Sequence, residues 1–187
     1  TPDADRAGGM VLSCGSERFQ TDYSALYLAL VWASARDTSG VECSPGVALA
    51  RVNYGLVAAS LSDCDVNCGG VVGAIAAADR NYGLLLGGIG SVTICNHGLE
   101  TGLATRTVME NRGMQLGIFN YATPVNPFGS LHRFRTGPDD PPPAEAVNAL
   151  QLGIYNRNEF GGPSLQIGVL NHNPAAMIPW LPLCNWN

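Results

Sequence analysis

An Asn-x-Gly triplet returns at Asn53, Asn67, Asn81, Asn96 and Asn111 of this 187-residue chain, at spacings of 14, 14, 15 and 15. A period that short defines units too small to bury a face alone, so the chain has to stack its repeats on one another. The series continues in altered form at Asn126, then at Asn158 and at Asn173. The interval from Asn126 to Asn158 is 32 residues, one repeat plus about seventeen. Asn and Gly suit the turn of each unit because both tolerate left-handed dihedrals and Asn bonds its own backbone.

A second series runs in the same phase, with Gly73, Gly88, Gly102, Gly117, Gly153 and Gly168 each set in a short apolar stretch. Its clearest copies are MQLGIFN (114–120), LQLGIYN (150–156) and LQIGVLN (165–171). Large apolar residues alternate there with Gln and Gly, the period-2 pattern of a strand with one buried face. Gly weakens a strand by itself, so its recurrence marks a place where backbones stack closely or the strand bends. The fold class expected is all-β. Identical phasing predicts a short-coil β-solenoid of about 15-residue repeats, with ladders of Leu, Gln, Gly and Asn up the molecule. An antiparallel meander or barrel is the alternative. Eight coils at a strand spacing of about 4.8 Å make a rod on the order of 38 Å long.

The chain reads as one repeat domain, 1–187. Residues 1–40 form an N-terminal cap, with the apolar run 25–33 as a strand rather than a helix; residues 41–176 carry the repeats. A proline-rich insert, 121–148, interrupts them, and long loops on a rigid scaffold tend to carry recognition residues. Residues 177–187 hold two prolines and two tryptophans and form a C-terminal cap. Trp180, Leu181, Leu183 and Trp186 are the candidate interface residues, because exposed aromatic and large apolar side chains at a rod end invite a neighbour.

The units MQLGIFN, LQLGIYN and LQIGVLN, with NHNPAAMIPWLPLCNWN after them, resemble exported bacterial surface-repeat proteins, the Leptospira-type family and its Lentisphaerae relatives. Those proteins are built from GLQIGLxN units closed by a proline-containing apolar tail. The resemblance spans about 41–187 and implies a repeat fold and a surface location, with no activity attached.

Composition excludes several function classes. All ten basic residues are Arg, so a Walker-type phosphate loop, a Schiff-base lysine and a Lys-rich nucleic-acid surface are absent. The net charge of −5 points away from nucleic acid as well. The longest apolar run is nine residues, against the roughly twenty a membrane-spanning helix needs. No nucleophile elbow, zinc-protease motif or dinucleotide glycine pattern occurs, so no enzyme and no cofactor is expected. Six cysteines, Cys14, Cys43, Cys64, Cys68, Cys95 and Cys184, form an even set typical of an oxidising compartment. Three disulfides are expected rather than a metal site. Cys64 with Cys68 and Cys14 with Cys43 are the local pairings, leaving Cys95 with Cys184, among fifteen connectivities. A start without an initiator Met agrees with a processed, secreted or surface protein. The function expected is an extracellular structural protein that self-associates, as a filament or surface-layer subunit. An adhesin or glycan-binding rod, using Tyr54, Tyr82, Tyr121, Tyr155 and the insert on a surface glycan or protein partner, is the second reading.

Overall fold

The computed structural model describes residues 6–7, 10–13, 22–23, 26–29, 31–123, 149–160 and 162–186. Cys14, Asn126 and positions 124–148 of the insert lie outside the described residues. The described chain is strand without helix: β1 (Arg6–Ala7), β2 (Met10–Ser13), β3 (Asp22–Tyr23), β4 (Leu26–Ala29), β5 (Trp32–Thr38), β6 (Val41–Asn53), β7 (Leu56–Asn67) and β8 (Gly70–Asn81), then β9 (Leu84–Asn96), β10 (Leu99–Asn111), β11 (Met114–Ala122), β12 (Ala149–Leu152), β13 (Tyr155–Asn158), β14 (Ser164–His172) and β15 (Trp180–Trp186). Among them every pairing is parallel except that of β15, which runs antiparallel on β14. The chain is therefore a parallel β-solenoid, and the antiparallel meander does not occur. The stack begins before residue 41: β2 pairs with β4, and both β4 and β5 pair with β6. Where it is described, the N-terminal stretch continues the ladder instead of closing it.

Each coil is a flattened loop of two arms. In β9, residues 84–87 form the first arm and 91–96 the second, with a bend between them and a corner at Asn96, His97 and Gly98. The β12 and β13 strands are the two arms of one coil, and both pair with β11 on one side and β14 on the other. Parallel register sets like on like, so one inward column runs Glu42, Val57, Val71, Leu85, Glu100, Gln115, Gln151, Gln166.

The space between the arms is narrow, and small side chains fill it. In the first half these are Ala33, Ala35, Ala48, Ala50, Ala76 and Ala78, packed with Val57, Val71 and Leu85. From Glu100 onward the interior is largely polar, with Ala122, Ala149 and Phe160 buried among the polar side chains. Gln115, Gln151 and Gln166 are 0% exposed, whereas Leu116, Leu165 and Ile167 on the same strands face outward. Gln166 Nε2 donates to Gln151 Oε1 at 2.7 Å, Gln151 Nε2 to Gln115 Oε1 at 2.7 Å, and Gln115 Nε2 to Glu100 Oε2 at 3.2 Å. A second amide ladder joins Asn120, Asn156 and Asn171 at 2.7 and 2.8 Å. Buried amides destabilise a fold only when unpaired, so a ladder that repeats at the strand spacing makes a polar interior tolerable.

Five of the predicted corner asparagines, Asn53, Asn67, Asn81, Asn96 and Asn111, stack in one column. Asn67 shows the pattern: its Oδ1 accepts from Asn53 Nδ2 (3.0 Å) and from Gly69 N (3.1 Å), and its Nδ2 donates to Asn81 Oδ1 (2.8 Å) and to Leu84 O (3.1 Å). All four hydrogen-bonding positions of the amide are used. Asn81, Asn96 and Asn111 carry the ladder on, through bonds of 2.9 and 3.1 Å. Asn158 belongs to a different column: it pairs with Ala122, which pairs with Thr107 in the second arm. Asn173 lies one step past His172, the partner of Arg157, and so follows Asn158. Both still accept from a backbone N–H two residues on, so they form the same local turn at another place in the coil.

Of the strand glycines, Gly73, Gly102, Gly117, Gly153 and Gly168 share one column, but the member contributed by β9 is Gly87, not Gly88. An extra residue at the β9 bend puts Gly88 outside. At Gly153 a Cβ would sit 2.1 Å from the Gly117 carbonyl oxygen and 2.4 Å from Asn120 Nδ2. The close backbone approach inferred from the glycine series is therefore present.

Candidate functional site

The first arms build a wall. Its outward positions form two columns, Val41, Leu56, Gly70, Leu84, Leu99, Met114, Leu150, Leu165 and Cys43, Ala58, Val72, Leu86, Thr101, Leu116, Leu152, Ile167. Thr101 and Cys43 are their only polar side chains. The first arms hold two charged residues, Glu42 and Glu100, and both point inward at 0% exposure. The apolar surface continues round the bend through Ile89, Leu103, Ile118, Ile154 and Val169, with Ile89 63% and Val169 64% exposed. A shallow open depression where wall meets bend is lined by Thr101, Leu116, Ile118, Leu152, Ile154 and the glycines between them. Parallel stacking turns one alternating repeat into a continuous apolar face, because each inward Gln or Gly leaves its Leu or Ile neighbours outside.

Charge collects on the second arms and the corner. Arg51 pairs with Asp37 at 2.8 Å, Arg112 with Glu110, and Arg157 with Glu159. His97 stacks on Tyr82 with ring centroids 5.0 Å apart and approaches Glu110 at 3.7 Å. Thr123 and Arg157 hold the Glu159 carboxyl below the usual range. Tyr121 and Tyr155 lie in adjacent coils with centroids 5.7 Å apart, whereas Tyr54 and Tyr82 are on the corner. The four tyrosines therefore form two groups.

Inside the coil, Glu100 Oε1 accepts from Ser91 Oγ and Arg106 N at 3.0 Å each, and Oε2 accepts from Thr107 Oγ1 at 3.0 Å and Thr93 Oγ1 at 3.3 Å. Burial outweighs these bonds and raises its pKa to about 7. Glu42, bonded by Thr38 Oγ1 at 2.9 Å, is likewise raised by burial to about 7. Neither carboxyl reaches solvent.

No disulfide joins Cys43, Cys64, Cys68, Cys95 and Cys184 in the structure. Burial pushes the thiols of Cys43 and Cys64 up, which makes both poor nucleophiles. Cys64 faces the core and Cys68 is exposed at the corner. Cys95 belongs to β9 and Cys184 to β15, five strand steps or roughly 24 Å apart. A disulfide needs Cα atoms within about 7 Å, so the pairing of these two is corrected. Among the described residues no group of His, Cys, Asp and Glu is arranged to hold a metal ion, and no helix is long and apolar enough to cross a membrane.

The four candidate interface residues of the tail all lie on β15, which covers the edge of β14. Trp180 packs on the His172 ring at 4.1 Å, and Asn171 Nδ2 donates to Leu181 O at 3.2 Å. Leu183, after Pro182, adopts a left-handed φ of 68°, and Trp180, Leu183 and Trp186 remain exposed. The apolar wall was missed from sequence. Its signal was present in the outward partners of the Gln and Gly positions. Comparison with family models, curated proteins and solved structures found no match to the chain.

Proposed function

We propose that the chain is a structural repeat protein of the cell exterior whose work is self-association. The observation that carries this reading is the separation of surfaces: one face of eight first arms has no outward charge, while the ion pairs lie on the other face and the corner. Exposed apolar patches of this extent mark interaction sites. The amide ladders support it by making the rod stiff, since the described coils from Asn53 to Gln166 are tied one to the next by side chains as well as by backbone. The sealed position of Glu42 and Glu100 favours a structural over a catalytic role. The likeness to surface-repeat proteins supports an exported location. The β15 strand, with Pro182 and the left-handed Leu183, favours copies joined side by side over copies joined end to end. Protease shaving of intact producing cells, followed by negative-stain microscopy of the released protein, tests the reading. Expected is a surface-accessible protein seen as associated short rods; a protein that is protected in the cytosol and seen only as single rods overturns it.

The pairing of Tyr121 with Tyr155 beside the exposed Phe119 supports a second reading, a glycan-binding rod. Glycan-array binding that is lost in Tyr155→Ala would favour it.

A further inference from the structure

We propose that the apolar wall is the interface for a second copy of this chain, packed face to face about a two-fold axis that runs along the strands between β9 and β10. This rests on the self-association reading above and names its surface, partner and geometry. Eight strands at about 4.8 Å and four residues at about 3.3 Å give a face of roughly 500 Å² in projection, and the bend column carries it to roughly 700 Å². That approaches the roughly 800 Å² per partner of a standard stable interface. Copies of one chain meet there without like-charge repulsion, because the two charged residues of these arms, Glu42 and Glu100, are both turned inward at 0% exposure.

Side-chain size selects the orientation. In the column that begins at Cys43 the outward residues grow from small, Cys43, Ala58 and Val72, to large, Leu116, Leu152 and Ile167, while the column that begins at Val41 is large throughout except at Gly70. A two-fold along the strands reverses coil order and keeps each column over itself. It sets Gly70 against the partner's Met114, Ala58 against the partner's Leu152 and Cys43 against the partner's Ile167, small on large at each, while Leu56 meets the partner's Leu150. A two-fold along the rod axis keeps coil order and lays one column over the other, so that Leu150 and Leu165 crowd the partner's Leu152 and the partner's Ile167 at one end while Gly70 meets only the partner's Val72 towards the other. Even filling is what a close-packed interface requires.

Sedimentation velocity across a range of concentrations tests the assignment, with circular dichroism to check the fold. The parent is expected to dimerise. Leu86→Arg, at the centre of the wall and outside the coil, should weaken the dimer at least tenfold with an unchanged spectrum. Gly70→Leu should weaken it comparably, and the double variant with Met114→Ala should restore it, since the partner's Met114 is what the new side chain meets. A Cβ at Gly70 meets the movable end of the Leu56 side chain at 3.3 Å and the Gly55 carbonyl oxygen at 4.0 Å, ordinary contact, so the fold tolerates the change. A protein that stays monomeric overturns both this inference and the self-association reading. Association unaffected by Leu86→Arg overturns the wall alone, and failure of the double variant to restore the dimer overturns the two-fold. Flotation of the parent with phosphatidylcholine vesicles, lost in Leu86→Arg, would assign the wall to a lipid surface and overturn the second copy.

Discussion

Glu100 occupies a column position that Gln115, Gln151 and Gln166 fill in later coils, so one methylene-length side chain is used in both acid and amide forms. Its unfolded pKa is the ordinary 4.5 and its folded value about 7. The folded state therefore holds a proton that the unfolded chain has released. The stabilisation is complete below about pH 4.5, is lost as pH rises through 7, and is flat above, a loss of about 3 kcal/mol per group. Glu42 has the same sign and the same window. Glu100→Gln should leave urea stability at pH 4.5 within about 1 kcal/mol of the parent and raise it by about 3 kcal/mol at pH 8, since the amide cannot ionise. Equal stability of variant and parent at both pH values would show that the carboxyl titrates normally.

At the scale of the element, the coil depends on how closely its arms and neighbours approach. The glycine column allows backbone to meet backbone: a methyl at Gly153 has the Gly117 oxygen and the Asn120 amide inside any van der Waals distance. Gly153→Ala should lower unfolding free energy by about 2 kcal/mol or more, on the scale of overpacking and forced dihedrals. Gly88→Ala, outside at the bend, meets nothing nearer than 3.6 Å and should change it by less than about 0.5 kcal/mol, as ordinary surface substitutions do. Thermal denaturation of the pair checks the assignment of Gly87, rather than Gly88, to the column. Glycine recurrence was legible in the sequence because it repeats; the one-residue shift at Gly88 was not, because β9 carries an extra bend residue that the spacing alone absorbs.

The whole molecule is a ladder that needs a stop. β15 supplies it by taking the last edge in the antiparallel sense and by burying Asn185 against the final coil. Deleting residues 179–187 removes the acceptor that Leu181 offers to Asn171 Nδ2 and the one that Pro179 offers to Asn173 N, and it uncovers β14. The truncated protein should aggregate or melt at lower temperature than the parent, read by scattering and circular dichroism. A soluble truncation with the parent's melting temperature would mean that the stack closes without β15.

Period and phase were enough to predict an all-β repeat, its coil length and its asparagine corner, and parallel pairing in the structure decided for the β-solenoid over the meander. A triplet that returns at fixed spacing can satisfy its amides only by stacking on itself, as Asn53 to Asn111 do. Which face of the alternation is buried was decided in three dimensions. Period 2 assigns Gln115 and Leu116 to opposite faces without ranking them. The narrow gap between the arms, together with the match of an amide pair to the strand spacing, puts the Gln inside and the Leu on the wall. Tertiary register likewise separated Cys95 from Cys184, whose strands lie five steps apart, and moved Asn158 and Asn173 out of the corner column, because the coil resumes at Ala149 in a register that sets Asn158 beside Ala122.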